Sequence, residues 1–135
     1  MQFEEKIECK DDPAELWKRI SDLDHFTYYW HGTRNLTYRR IHPSRYKADI
    51  TFAFGGKGLA EITVDSESLT LTINYLRGPF KGMQKIWVQG NTVASSWNVE
   101  FNGFYRFISG WSQDHFRQGT INALKRLCEA NTKAG

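Results

Sequence analysis

Three side chains in this chain are suited to proton chemistry: His115, Tyr75 and Glu5. His115 follows Trp111 by one helical turn and precedes Asn122 by about two, in a stretch from Gly110 to Asn131 that contains no proline. A histidine there could orient a ligand oxygen or act as a general acid or base near neutral pH. It could equally be a boundary residue bonded to water or to Asp114. Tyr75 could donate its hydroxyl to a ligand, or bury its ring and leave the hydroxyl at a rim. Glu5 interrupts the apolar side of an alternating segment, Phe3, Ile7 and Cys9. It is either near a strand end or a polar group facing inward.

Other chemistries find no support in the spacing. His25, His31 and His42 are scattered. Asp22, Asp24 and His25 are close in sequence but diverge around a helix, so no metal site is expected. No Ser-His-Asp or Cys-His arrangement emerges, and nothing calls for a cofactor. Gly55-Gly56-Lys57-Gly58 has no Ser or Thr after the lysine and joins two strands, which makes it a hairpin turn rather than a phosphate loop. The net charge is only +3, with no basic run longer than Arg39-Arg40. Tyr38, Arg39, Arg40, Arg45, Tyr46 and Lys47 mix bases with rings as single-strand binders do. Strand alternation splits that set, so nucleic acid is not the expected partner. Met1 leads into an acidic, strand-like segment, and no apolar run approaches the roughly 18 residues of a membrane span. A cytoplasmic protein is expected. Its two cysteines, Cys9 and Cys128, are then by default reduced thiols buried as small apolar groups. A disulfide would require the first strand to abut the end of the last helix.

The elements that must position these residues follow from periodicity. Phe3 to Lys10 alternates as a half-buried strand. Asp12 is a helix cap with Pro13 in the first turn, and Leu16, Trp17 and Ile20 form the stripe. A second short helix, capped by Ser21 or Asp22, turns Leu23, Phe26 and Tyr29 or Trp30 inward and ends at His31-Gly32. From Thr33 the period becomes two. Strands are predicted around Leu36–Arg40, Tyr46–Phe54, Ala60–Val64, Leu69–Tyr75, Met83–Gln89 and Val93–Phe101, joined by short turns and therefore antiparallel. The long helix closes the chain. Phe116, Gly119, Thr120, Ala123, Leu124, Leu127 and Cys128 form its apolar stripe, with Trp111, His115, Asn122 and Arg126 on the shoulder. The 135 residues read as one α+β domain, with a curved antiparallel sheet of six to seven strands wrapped around the C-terminal helix.

This order resembles the helix-grip fold of the START and birch-pollen-allergen superfamily, and more narrowly the polyketide cyclase/dehydrase and lipid-transport proteins. The resemblance spans the whole chain. It rests on the opening strand, on Asp12-Pro13-Ala14-Glu15-Leu16-Trp17, and on Ser21-Asp22-Leu23 leading into Phe26, Tyr29 and Trp30. Ala123-Leu124-Lys125-Arg126-Leu127 near the end of the long helix fits too. The resemblance implies a cavity between sheet and helix and brings no shared catalytic motif.

Aromatic residues make up 15% of the chain, enough for a ring-lined cavity or for a solid core. Small residues on the covering helix, Gly119, Thr120 and Ala123, leave room for the former. The candidate ligand-binding residues are Tyr46, Ile50, Phe52, Ile73, Tyr75, Trp97, Trp111, His115, Gly119 and Asn122. The loop Gly78-Pro79-Phe80-Lys81-Gly82 is a candidate lid with Phe80 at its tip. The rings from Phe101 to Trp111 either plug the core or, through Phe104 and Phe107, touch a membrane surface. The expected function is binding or transport of a hydrophobic or amphipathic small molecule, lipid or polyketide-like. The alternatives are a cofactor-free cyclase or dehydratase using His115, Tyr75 or Glu5, and a membrane-associated assembly factor.

Overall fold

The structure, a computed structural model, describes residues 1–103 and 109–134, with side chains for 1–103 and 113–128. In chain order the elements are β1 (Gln2–Glu8), α1 (Pro13–Ile20), a 3-10 turn (Leu23–His25), α2 (Phe26–Tyr29), β2 (Thr33–His42), β3 (Arg45–Phe52), β4 (Lys57–Asp65), β5 (Thr70–Arg77), β6 (Phe80–Gln89), β7 (Thr92–Phe101) and α3 (Ser109–Ala134). The strands form one seven-stranded sheet in the order β1-β7-β6-β5-β4-β3-β2. Every pairing is antiparallel. The α+β architecture with a long C-terminal helix is the one expected from the sequence. Alternation sets the inner face: Leu71, Ile73 and Tyr75 of β5 are buried, while Thr72 and Asn74 between them are half-exposed. Asp12 stands at the helix-cap position of α1 but makes no side-chain capping bond.

One glycine bends the sheet. Gly82 in β6 has φ 137°, and a Cβ there would meet the Asn98 carbonyl oxygen at 2.2 Å. No other residue fits that close approach. With Gly78 at φ 134° on its other side, the backbone turns Phe80 into the interior. This corrects the lid reading. Phe80 begins a strand, is 1% exposed, and is the hub of a ring cluster rather than a loop tip. Its centroid lies 4.8 Å from Tyr75, 5.1 Å from Phe52, 5.5 Å from Phe116 and 5.8 Å from Phe101.

Helix α3, 26 residues and about 39 Å long, packs on β1 and β7 and against α1 and α2. Its stripe of Thr120, Ala123, Leu124 and Leu127 is fully buried. Polar links reinforce the packing. Arg117 Nη1 donates to Glu5 Oε1 at 2.7 Å, and the guanidinium carbon lies 4.9 Å from the Phe3 ring centroid. Glu5 is therefore an inward polar group that meets the helix. Arg19 Nη1 bonds both the Asp11 carboxylate and the Leu127 carbonyl.

The strongest fastener overturns an expectation. Cys9 and Cys128 form a disulfide, with Cα atoms 5.3 Å apart. The physical reason is register. β1 pairs with β7 from Gln2↔Asn98 to Glu8↔Thr92, and Cys9 N–H then donates to Asn91 O at 2.7 Å. That extension carries Cys9 past the strand end and under the last third of α3. Reduced thiols therefore no longer support a cytoplasmic location. No helix among the described residues is long and apolar enough to cross a membrane.

The bridge spans a sequence separation of 119 residues. A loop of that order restricts the unfolded chain by about 5 kcal/mol. Urea unfolding should show a lower midpoint for Cys9→Ser, and dithiothreitol should lower the wild-type midpoint while leaving the variant unchanged. A wild-type midpoint indifferent to reductant would mean the thiols are unpaired.

Candidate ligand cavity

Because α3 lies over β1 and β7, the inner face of β3, β5 and β6 is left incompletely covered. A cavity of about 290 Å³ occupies that space. Its depth is built by Phe52, Tyr75, Phe80 and Trp97 from the sheet and by Phe116 and Thr120 from α3. Its mouth is marked by exposed lining residues, among them His31, Gly32, Ala53, Phe54, His115 and Gly119. Gly119 helps to keep it open, since a Cβ at that position would meet nothing within 4 Å.

The polar atoms of the wall bond one another. Tyr75 donates its hydroxyl to Gln84 Oε1 at 2.9 Å, and Gln84 Nε2 donates to Ser95 Oγ at 3.2 Å. Trp97 Nε1–H donates to Thr120 Oγ1 at 2.9 Å, and that hydroxyl donates back along α3 to the Phe116 carbonyl at 2.8 Å. Among the described residues, no buried side-chain nitrogen or oxygen lacks a partner. Burial pushes the Tyr75 phenol far above the ordinary tyrosine range. Tyr75 is thus a neutral donor already committed to Gln84. An occupant of the depth meets mainly ring faces and edges.

Six of the residues singled out from the sequence come together here: Phe52, Tyr75, Trp97, His115, Gly119 and Asn122. Three do not line the cavity. Ile50 and Ile73 share the inner face but are packed into solid core, 2% and 0% exposed. Tyr46 lies further along β3, beside Ile62 of β4, with the Arg40 guanidinium donating to its hydroxyl at 3.0 Å. The side chain of Trp111, and Phe104 and Phe107 with the membrane contact assigned to them, lie outside the described residues. Glu5 is not in the wall. Sequence reasoning missed Phe26, Trp30, Phe80, Gln84 and Arg126. Alternation with Ile86 and Val88 was the available signal for Gln84, a lone amide on an otherwise apolar strand face. Among the described residues, no His/Cys/Asp/Glu group could hold a metal ion.

Solved structures share this fold. The Zhui aromatase/cyclase from Streptomyces sp. R1128 superposes with TM-score 0.73 at 9% identity, covering 100% of this chain and 96% of that one. A START superfamily protein from Mycobacterium smegmatis gives 0.66 at 11% identity, covering 93% and 98%. The STAR-related lipid transfer protein from Xanthomonas axonopodis gives 0.61 at 10%, covering 96% and 84%. The chain therefore has the START-type helix-grip fold. No family model matches the sequence, and a search of curated proteins finds no significant relative.

The Trp97–Thr120 bond is both a wall element and a fastener of α3. Thr120→Val keeps the shape but strands the buried indole N–H, a loss of about 1–3 kcal/mol. Chemical denaturation should register it. An unchanged unfolding free energy would mean the indole finds another acceptor.

Proposed function

We propose that this protein binds a small hydrophobic or amphipathic molecule in the cavity beneath α3, as a carrier or binding protein rather than as a catalyst. The observation that carries this reading is the ring-lined depth, in which no buried side-chain nitrogen or oxygen among the described residues lacks a partner. Such a site gains its affinity from removing apolar surface from water, at about 25 cal/mol per Å². The comparisons lend support at the level of fold, since an aromatase/cyclase and a lipid transfer protein share the architecture.

A cyclase or dehydratase would work in the same cavity and would need a proton donor or acceptor beside the reacting atoms. Glu5 is held by Arg117 outside the wall, and Tyr75 is held by Gln84 with its phenol kept neutral. His115 stands at the exposed mouth. The balance of these placements favours binding.

Gly119 offers the cleanest test. Wild-type protein should take up the neutral apolar dye N-phenyl-1-naphthylamine, and native mass spectrometry should show a copurified apolar molecule. Gly119→Trp places an indole over the mouth and should abolish dye uptake. It should not destabilise the helix, where glycine is a worse residue than tryptophan by about 0.5 kcal/mol. Undiminished uptake by the folded variant would place the dye elsewhere, and no uptake by the wild type would end the binding proposal.

A further inference from the structure

The charge at the cavity mouth is one-sided. Arg126 lines the cavity where α3 passes α2, and no aspartate or glutamate among the described residues lines it. Its Nη1 donates to the Tyr29 carbonyl oxygen at 2.8 Å, and no carboxylate among the described residues pairs with it. A guanidinium has five N–H donors in a planar fork, so one bond to a carbonyl leaves most of the fork uncommitted. The described acidic groups nearby are engaged elsewhere. Asp22 bonds His25 Nδ1 at 2.7 Å, Asp24 accepts from the Tyr38 hydroxyl at 2.6 Å, Asp11 pairs with Arg19, and Glu5 pairs with Arg117. One turn before Arg126, Asn122 accepts from Gln118 Nε2 at 3.1 Å through Oδ1, which leaves its amide N–H groups as donors on the same side.

Depth and mouth therefore make opposite demands. The depth takes only an apolar body, and the mouth offers a positive, donor-rich edge. The cavity of about 290 Å³ lies at the small end of ligand sites, room in the depth for a one- or two-ring body. The rings that line it are suited to stacking and edge contacts. We infer that the ligand is a small aromatic or polycyclic organic acid, its rings against Tyr75, Phe80 and Trp97 and its carboxylate held by Arg126 with Asn122. This rests on the cavity being the binding site, and it adds the charge and size of what binds there.

Isothermal titration with 2-naphthoate, its neutral near-isostere 2-naphthamide, and palmitate separates the parts. In wild type, naphthoate should bind about tenfold or more tighter than naphthamide, the range of one charge-assisted hydrogen bond. Arg126→Gln should erase that preference, so that the affinities for acid and amide converge to within about twofold of each other. Arg126→Lys, which keeps the charge without the fork, should retain part of it. Equal wild-type affinity for acid and amide, or a preference that survives in Arg126→Gln, overturns the anion site and leaves the cavity reading intact. Palmitate binding tighter than naphthoate replaces the ring acid by a fatty acid. Binding of none of the three overturns both readings. Should Arg126→Gln fail to fold, the wild-type comparison and Arg126→Lys still decide: no preference in either overturns the proposal.

Discussion

A single helix has to cover the inner face of seven strands, and it is fastened along one edge of them. Three fasteners act there: the Cys9–Cys128 bridge, the Arg117–Glu5 pair and the Trp97–Thr120 hydrogen bond. Each joins α3 to β1, to the residue just beyond it, or to β7. A helix about 10 Å across covers two strands well, because strands are about 4.8 Å apart. The remaining strands must be covered by other means. A twisted antiparallel sheet tends to curl toward its cover, and the aromatic side chains of Phe52, Tyr75 and Phe80 reach across what is left. The cavity is the residue of that geometry. It lies beyond the Trp97–Thr120 bond, where α3 presents glycine instead of a side chain.

The same constraint separates a stiff end from an open end. Toward its C-terminus α3 is held by the disulfide, by Arg19 on the Leu127 carbonyl and by Arg126 on the Tyr29 carbonyl. Leu124 and Leu127 beside these links are fully buried. Around Gly119 the helix contributes exposed residues instead. Ring contacts around Phe116, at 5.1 Å to Trp97 and 5.5 Å to Phe80, mark where closed core gives way to open cavity. Gly119 makes no fastening contact, so a substitution there need not weaken the core, whereas Thr120 and Arg126 serve both the fold and the cavity.

Much of the fold was legible because periodicity and turn chemistry agreed from Thr33 to the end of β7, and because the α3 stripe was unambiguous. The inner-face positions Phe52, Tyr75 and Trp97 were legible for the same reason. Three things were hidden. The cysteine pairing depends on where β1 ends relative to α3, a tertiary fact with no local signal over a separation of 119 residues. Phe80 looked like a loop tip because two glycines flank it; glycine marks a backbone turn but not its direction, and here the turn is inward. Ile50 and Ile73 were indistinguishable from cavity residues by alternation alone. Alternation assigns a face, and only the position of the covering helix decides which part of that face is left bare.

That limit also explains why chemistry was harder to read than architecture. Residue type nominated His115, Tyr75 and Glu5, yet two of the three are consumed by the structure itself. Glu5 neutralises Arg117 at the sheet edge, and Tyr75 completes a chain that runs through Gln84 to Ser95. A buried chain of this kind is stable only when each member is satisfied, because an orphaned polar atom in a low-dielectric interior costs as much as the bond would give. Such a wall rejects polar groups on an incoming molecule for the same reason that it rejects water. Selectivity must then come from shape in the depth and from charge at the mouth. Arg126 supplies charge where no described carboxylate is present to cancel it.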